Sequence, residues 1–154
     1  MKELITEIQD QLQEDTNLSY IADDSIFVSI DENIIPEVVT FPAIGIKDGN
    51  IQYNFEEGET WEPNYYVDLI IYTLMTATDL CIMGDGTDTN TTYGVLKIAD
   101  DIHASLIDNF LSITGIELAL PISEKASEAL IMGDLALQKK VITYRYRKSE
   151  ATPT

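Results

Sequence analysis

The sequence predicts an α+β domain, in which an N-terminal helix and one long helix, about residues 92–110, pack on one face of a mostly antiparallel sheet. Three observations predict this fold class. An apolar stripe of helical period opens the chain, and a second one lies in its middle. Segments that alternate apolar and polar side chains lie between and after the two stripes, as strands do. Helices and strands do not alternate regularly, so a parallel βαβ sheet is not expected.

Both helices are predicted from the spacing of their apolar residues. The first stripe has helical spacing and consists of Leu4, Ile5, Ile8 and Leu12. This helix is expected to end near residues 15–17, where Asp, Thr and Asn favour a turn. The stripe of the long helix consists of Val95, Ala99, Ile102, Leu106 and Phe110, and His103 lies on its flank.

The first half of the chain contains several short strand signals. Residues 25–30 and 38–41 are rich in β-forming side chains. Residues 43–46 and 51–55 are predicted to pair as a hairpin around residues 47–50, because Asp-Gly readily supplies the positive φ of a tight turn. Residues 56–63 contain four glutamates together with Gly and Pro, so they are predicted to form a loop.

The second half contains the clearest strands. Residues 65–74 are apolar on both faces, which predicts a central strand. A short strand is expected at residues 116–120, ending at Pro121. Residues 139–147 alternate cleanly, which places Arg145 and Arg147 on one face and three apolar or aromatic side chains on the other. We expect a single domain over residues 1–148 and a flexible tail over residues 149–154.

The net charge disfavours two classes of binding function. Nine basic residues against 27 acidic ones give a charge of −18, which disfavours binding to nucleic-acid phosphates or to anionic membranes. Residues 1–96 carry two basic and 19 acidic residues, a net of −17, whereas residues 97–154 carry seven and eight, a net of −1. This asymmetry suggests that copies of the chain meet in a fixed orientation. The single Cys81 excludes an internal disulfide and fits a reducing compartment.

No catalytic, cofactor or metal site is predicted. His103 is the only histidine, so one side chain would have to serve every role in a nucleophilic system. Residues 85–90 have the composition of a calcium loop, but Leu96 stands where an EF-hand loop needs its Glu. The acidic loop would need one buried carboxylate with a raised pKa to act in acid/base chemistry, and its composition favours a solvated tip.

Ten residues are predicted to contact other subunits or a connector. Trp61 in the acidic loop is either an interface anchor or a side chain that folds back onto the sheet, and the sequence leaves both open. We expect this loop to be mobile in the free protein and ordered in an assembly, because four carboxylates repel one another. The full set is Glu56, Glu57, Glu59, Trp61, Glu62, Lys139, Lys140, Arg145, Arg147 and Lys148.

The order of elements resembles that of the tail terminator proteins of long-tailed bacteriophages, also called tail completion or tail-to-head joining proteins. The resemblance covers about residues 1–148. It rests on the first helix, the Thr-Phe-Pro-Ala-Ile-Gly-Ile segment at 40–46 and the strand at 65–74. It also rests on the Gly-bearing loop before the long helix, the strand at 117–120 and the closing Tyr-Arg-Tyr-Arg at 144–147.

The resemblance implies a non-enzymatic virion protein without cofactors, made in the cytoplasm of the bacterial host. It implies a ring of about six copies that caps the tail tube and contacts the tail tube protein and a head connector or neck protein. DNA would pass through the ring without specific binding, and an acidic lumen would repel its phosphates. We expect no membrane partner.

Three alternatives stay open from the sequence. The chain resembles other phage neck or tail tube components in part. An acidic inhibitor that mimics DNA would also carry this charge, although such a protein favours carboxylates along exposed helices. A small enzyme or ligand-binding domain would need a polar pocket around His103.

Overall fold

The computed structural model describes residues 1–55, 60–85 and 93–151, and it confirms the predicted α+β class. Three helices and seven strands lie within these ranges. The helices are α1 (Lys2–Glu14), α2 (Leu80–Met83) and α3 (Val95–Leu106). The strands are β1 (Ile26–Val28), β2 (Ala43–Phe55), β3 (Thr60–Leu74), β4 (Ile116–Glu124), β5 (Glu128–Met132), β6 (Leu135–Lys148) and β7 (Glu150–Ala151).

The strands form one sheet in the order β1-β2-β3-β6-β4, with β5 paired to β6 and β7 paired to β3. Strand β1 runs parallel to β2, and the other pairs are antiparallel. The long antiparallel pairing of β2 with β3 and of β3 with β6 makes β3 the central strand, as its apolar sequence predicts. Strands β1 and β4 therefore lie at opposite edges of the sheet.

Helices α1 and α3 cover one face of the sheet. Ile8, Leu12 and Ile102 are fully buried against alternate residues of the central strands, among them Leu69 and Ile142. Burying a Leu or Ile side chain contributes about 1.5–3 kcal/mol, so this face supplies most of the free energy that holds the helices. The predicted alternation of β6 is confirmed here, because Ile142, Tyr144 and Tyr146 all belong to this core.

The described residues cover the opposite face at one end. Residues 29–42, which we call the strap, cross this face, and Val39 packs there with Phe27 and Tyr72 of the sheet. The Tyr72 hydroxyl donates a hydrogen bond of 2.6 Å to the Glu32 carbonyl oxygen and so holds the strap. The strand signal at residues 38–41 was therefore misleading, since Val38 is 73% exposed and these residues lie outside every strand.

The hairpin predicted around residues 47–50 is wrong. Strand β2 continues through these residues, and its register against β3 shifts between Asp48 and Ile51, which marks a bulge. A Cβ atom on Gly49 would lie 2.6 Å from the Tyr66 carbonyl oxygen. Only glycine at position 49 lets the backbone of β2 come this close to β3. The Asp-Gly pair that indicated a turn in the sequence therefore marks a bulge, because bulges and tight turns favour the same residue types.

Other boundaries differ because tertiary contacts override local periodicity. Helix α3 ends at Leu106 and not at Phe110, because Ile107 is extended and the Asp108 amide bonds to the Ala119 carbonyl oxygen of β4. Strand β4 passes through Pro121, where its pairing with β6 is irregular, and ends at Glu124. An edge strand tolerates such a proline because one side of its backbone needs no partner. The short elements α2 and β5 were not predicted.

The acidic loop predicted over residues 56–63 can be compared with the structure only at residues 60–63, which are not a loop. Residues 56–59 lie outside the described part of the chain. Residues 60–63 belong to β3, where the backbone of Trp61 pairs with Phe55 on β2 and with Glu150 on β7. Strand β7 falls within the segment predicted to be a tail, and residues 152–154 are not described.

We expect stability to fall at alkaline pH. Burial raises the pKa of Tyr144 and Tyr146 above the ordinary value of about 10, and nearby Glu124 adds to the effect on Tyr144. The unfolded phenols lose their protons above about pH 10 while the folded ones keep them, so the contribution of these two tyrosines to the free energy of unfolding is constant below that pH and decreases above it. Urea titrations across this range measure the effect.

The Tyr146 hydroxyl provides the control for this prediction, because it is buried and has no hydrogen-bond partner among the described residues. Tyr146→Phe removes that hydroxyl, so it is expected to leave neutral-pH stability unchanged or higher and to reduce the alkaline loss. An equally steep loss in this variant would show that Tyr146 does not contribute.

Candidate interaction surface

The part of this face away from the strap carries the two arginines predicted to act together. The side chains of Ile142, Tyr144 and Tyr146 point to the helices, so Arg145 and Arg147 point to the opposite face. Their cross-strand neighbours on β3 are Tyr66 and Asn64, respectively. On β4 the neighbours are Leu120 and Leu118. We call this group the arginine surface: Glu62, Asn64, Tyr66, Leu118, Leu120, Arg145 and Arg147.

Arg145 lacks an anionic partner among the described residues. Its Nε atom is buried and makes no hydrogen bond within the described part of the chain. In a protein with a charge of −18, a guanidinium without a carboxylate is unusual. An unmet buried donor costs about 1–3 kcal/mol, which a carboxylate from another molecule would recover.

Arg147 has carboxylates near it but no close contact. Its Nε atom lies 3.9 Å from Glu62 Oε2 and 3.7 Å from Glu117 Oε2, beyond hydrogen-bond distance. Arg147 Nε is also buried without a hydrogen bond, as is Oδ1 of its neighbour Asn64. Among the described residues, this surface thus holds two buried donors and one buried acceptor without hydrogen bonds. Buried polar groups are normally hydrogen-bonded, so this pattern favours contact with a polar protein partner.

Lys139 and Lys140 do not belong to this surface. Lys139 is 3% exposed, and its Nζ lies 3.3 Å from Glu32 Oε1 and 3.1 Å from Glu128 Oε1. It also donates to Asn33 Oδ1, so it ties the strap and β5 to β6. Lys140 is 7% exposed and donates to the Lys125 carbonyl oxygen at 2.7 Å. Both lysines have partners within the chain. Nothing in the sequence pattern indicated that they connect parts of the fold.

The remaining predicted interface residues are placed only in part. Glu62 lies on β3 and belongs to the arginine surface, and Lys148 is half-buried at the end of β6. Glu56, Glu57 and Glu59 lie outside the described residues. The backbone of Trp61 is in β3, but its side chain is not described, so neither interpretation of this residue is tested.

His103 is part of a polar contact that joins α3 to the sheet. Its Nδ1 lies 2.6 Å from the Tyr144 hydroxyl, and its Nε2 lies 3.3 Å from Glu124 Oε1. The side chain is 22% exposed. The contact links three elements, α3, β4 and β6, which accounts for a histidine on the flank of an apolar stripe.

A shallow depression of about 520 Å³ lies beside the arginine surface. Its lining includes Lys47, Tyr66, Asp68 and Thr143. The Thr143 hydroxyl donates to Asp68 Oδ1 at 2.6 Å, and Lys47 is paired with Asp48, so these groups are already engaged. The described residues contain no group of His, Cys, Asp or Glu side chains arranged to hold a metal ion.

Comparison with known proteins gives a match in fold. No protein-family model matches the sequence, and no curated protein matches it. A chain in a solved structure described as the virion of a native gene transfer agent particle has a similar fold, with a TM-score of 0.65. The two chains are 11% identical, and the match covers 96% of this chain and 95% of that one. At this identity the similarity establishes the shared fold.

Among the described residues, none of the helices has the length and apolar character needed to span a membrane.

Proposed function

We propose that this chain is a structural protein of a phage-like virion, and specifically a tail terminator that forms a ring on the tail tube. The observation that carries the proposal is the whole-length similarity of fold to a chain of a gene transfer agent virion. The order of elements, which resembles the tail terminator family, supports the finer assignment. On this proposal the protein is made in the cytoplasm of the bacterial host, assembles into the virion and has no enzymatic activity.

The charges of the chain are consistent with such a ring. The ring, of about six copies, contacts itself, the tail tube protein and a connector or neck protein. Its lumen is acidic, and DNA passes through it without specific binding because carboxylates repel phosphate. The arginine surface is the contact that we assign to a neighbouring subunit or connector, since Arg145 and the Nε atom of Arg147 lack close partners within the described chain.

Light scattering coupled to size-exclusion chromatography, followed by a nuclease inhibition assay, separates this proposal from the DNA-mimic alternative. We expect an oligomer of several copies on added tail tubes or in salt that screens the charge of −18, and no effect on nuclease activity. A monomer or dimer that inhibits a nuclease and ignores tail tubes would contradict the proposal and favour the mimic.

A further inference from the structure

An apolar groove lies at the sheet edge opposite the arginine surface. It has a volume of about 650 Å³, and its lining includes Met1 and Ile5 of α1, together with Val28, Ile30 and Asp48. Val28 is 50% exposed and Ile30 is 78% exposed. Two adjacent exposed aliphatic side chains beside a concave apolar wall are typical of a protein contact.

The strand edge beside the groove is open. Strand β1 pairs with only three residues of β2, Ile44, Gly45 and Ile46, and the Ser29 amide adds one hydrogen bond to the Ile46 carbonyl oxygen. From Lys47 onward, this side of β2 has no paired strand among the described residues. An open edge beside an apolar groove offers both backbone hydrogen bonds and side-chain pockets to an extended segment.

The other edge of the same sheet has a matching surface. Strand β4 is the outer strand there, and it exposes Leu120 at 37% and Ile122 at 51%. Leu120 lies directly opposite Arg145 in the register of β4 with β6. This edge thus combines exposed aliphatic side chains with the cation that lacks a partner within the described chain.

The charges at the two edges are complementary. The groove lies in the part of the chain that carries a net −17. Asp48 lines it, and the exposed Glu3 and Asp31 directly follow the lining residues Lys2 and Ile30 in the chain. Lys2 is the basic residue in its lining. The β4 edge lies in the nearly neutral part of the chain, and Arg145 and Arg147 lie on the adjacent β6.

We propose that the groove binds the β4 edge of a second copy of this chain, with Leu120 and Ile122 against Val28 and Ile30 and with Arg145 facing the acidic rim. This inference rests on the proposed ring, for which it names the contact. Because each copy carries the two surfaces at opposite edges, the contact is head-to-tail, and only a closed ring fills both surfaces in every copy.

Cysteine cross-linking tests this contact. Val28→Cys and Ile122→Cys are prepared separately in a Cys81→Ala background, since both side chains are exposed and tolerate replacement. The two variants are mixed and oxidised, either at the concentration where the free protein forms oligomers or on isolated tail tubes. We expect disulfide-linked dimers in the mixture and none with either variant alone. Val28→Cys mixed with Met83→Cys, which is 58% exposed on α2, is the control and should give none.

Each other outcome overturns the inference in a different way. Cross-linking of Val28→Cys with itself would show a symmetric contact between β1 edges. A ring on the tail tube without cross-links between Val28→Cys and Ile122→Cys would overturn the assigned contact and leave the ring intact. A strict monomer, with no ring in solution or on tubes, would overturn both the contact and the proposed function.

Discussion

Replacing both Arg145 and Arg147 with Gln is expected to abolish tail-to-head joining while the subunit stays folded. Removing one member of a buried charge pair at an interface costs about 2–5 kcal/mol, and about 2 kcal/mol corresponds to a roughly 30-fold weaker contact. Both changes occur at every contact of a ring, so the loss is repeated around it. The readouts are oligomer mass by native mass spectrometry and the yield of joined particles.

The fold of this double variant should be almost unchanged. Arg145 has no ion pair among the described residues, and those of Arg147 are long at 3.7 and 3.9 Å. Loss of such distant, half-exposed pairs changes the free energy of unfolding by about 0.5 kcal/mol or less, which urea titration measures.

The control for this experiment is the pair Lys97→Gln and Lys125→Gln, which changes the net charge equally at exposed positions outside the arginine surface. It should join tails normally. Normal joining by the arginine variant, or equal loss in both variants, would refute the role that we assign to Arg145 and Arg147.

The second large effect is expected at the buried Lys139. Replacing both Glu32 and Glu128 with Gln removes the carboxylates at 3.3 and 3.1 Å and leaves the ammonium buried beside Asn33. Breaking a buried pair in this way costs about 3 kcal/mol. The free energy of unfolding should decrease even though each change also lowers the charge repulsion within a chain of charge −18.

Lys139→Met is the matched variant. It removes the buried charge itself and leaves Glu32 and Glu128, which are 39% and 66% exposed, in contact with water. We expect its stability to lie within about 1 kcal/mol of the parent chain, and its assembly to be normal. If Lys139→Met folds but fails to assemble, Lys139 acts at an interface after all, as the sequence pattern suggested.

Local periodicity was enough to predict most of the fold. The stripe of α1 and the alternation of β6 depend on the spacing of residues such as Ile8, Leu12, Ile142 and Tyr144, and each of these is buried where the pattern requires. The bulge at Gly49 was mistaken for a turn, because both structures favour the same residues. The strap was missed because Val39 is buried by contacts with distant residues of the sheet and not by any local pattern.

The candidate surface was predicted less completely. Strand alternation placed Arg145 and Arg147 on one face, and the structure agrees. It did not distinguish them from Lys139, which lies on the same face of the same strand but reaches carboxylates on the strap and on β5. The groove left no signal in the sequence either, since the exposure of Val28 and Ile30 follows from how little of β2 is covered by β1.

The central claim is that this chain assembles into a ring on phage-type tails. Native mass spectrometry of the protein at low and high salt, alone and after incubation with isolated tail tubes, tests it most directly. We expect a species of about six copies, favoured on the tubes and by salt that screens the charge of −18. A protein that stays monomeric under every condition and does not bind tail tubes would contradict the claim.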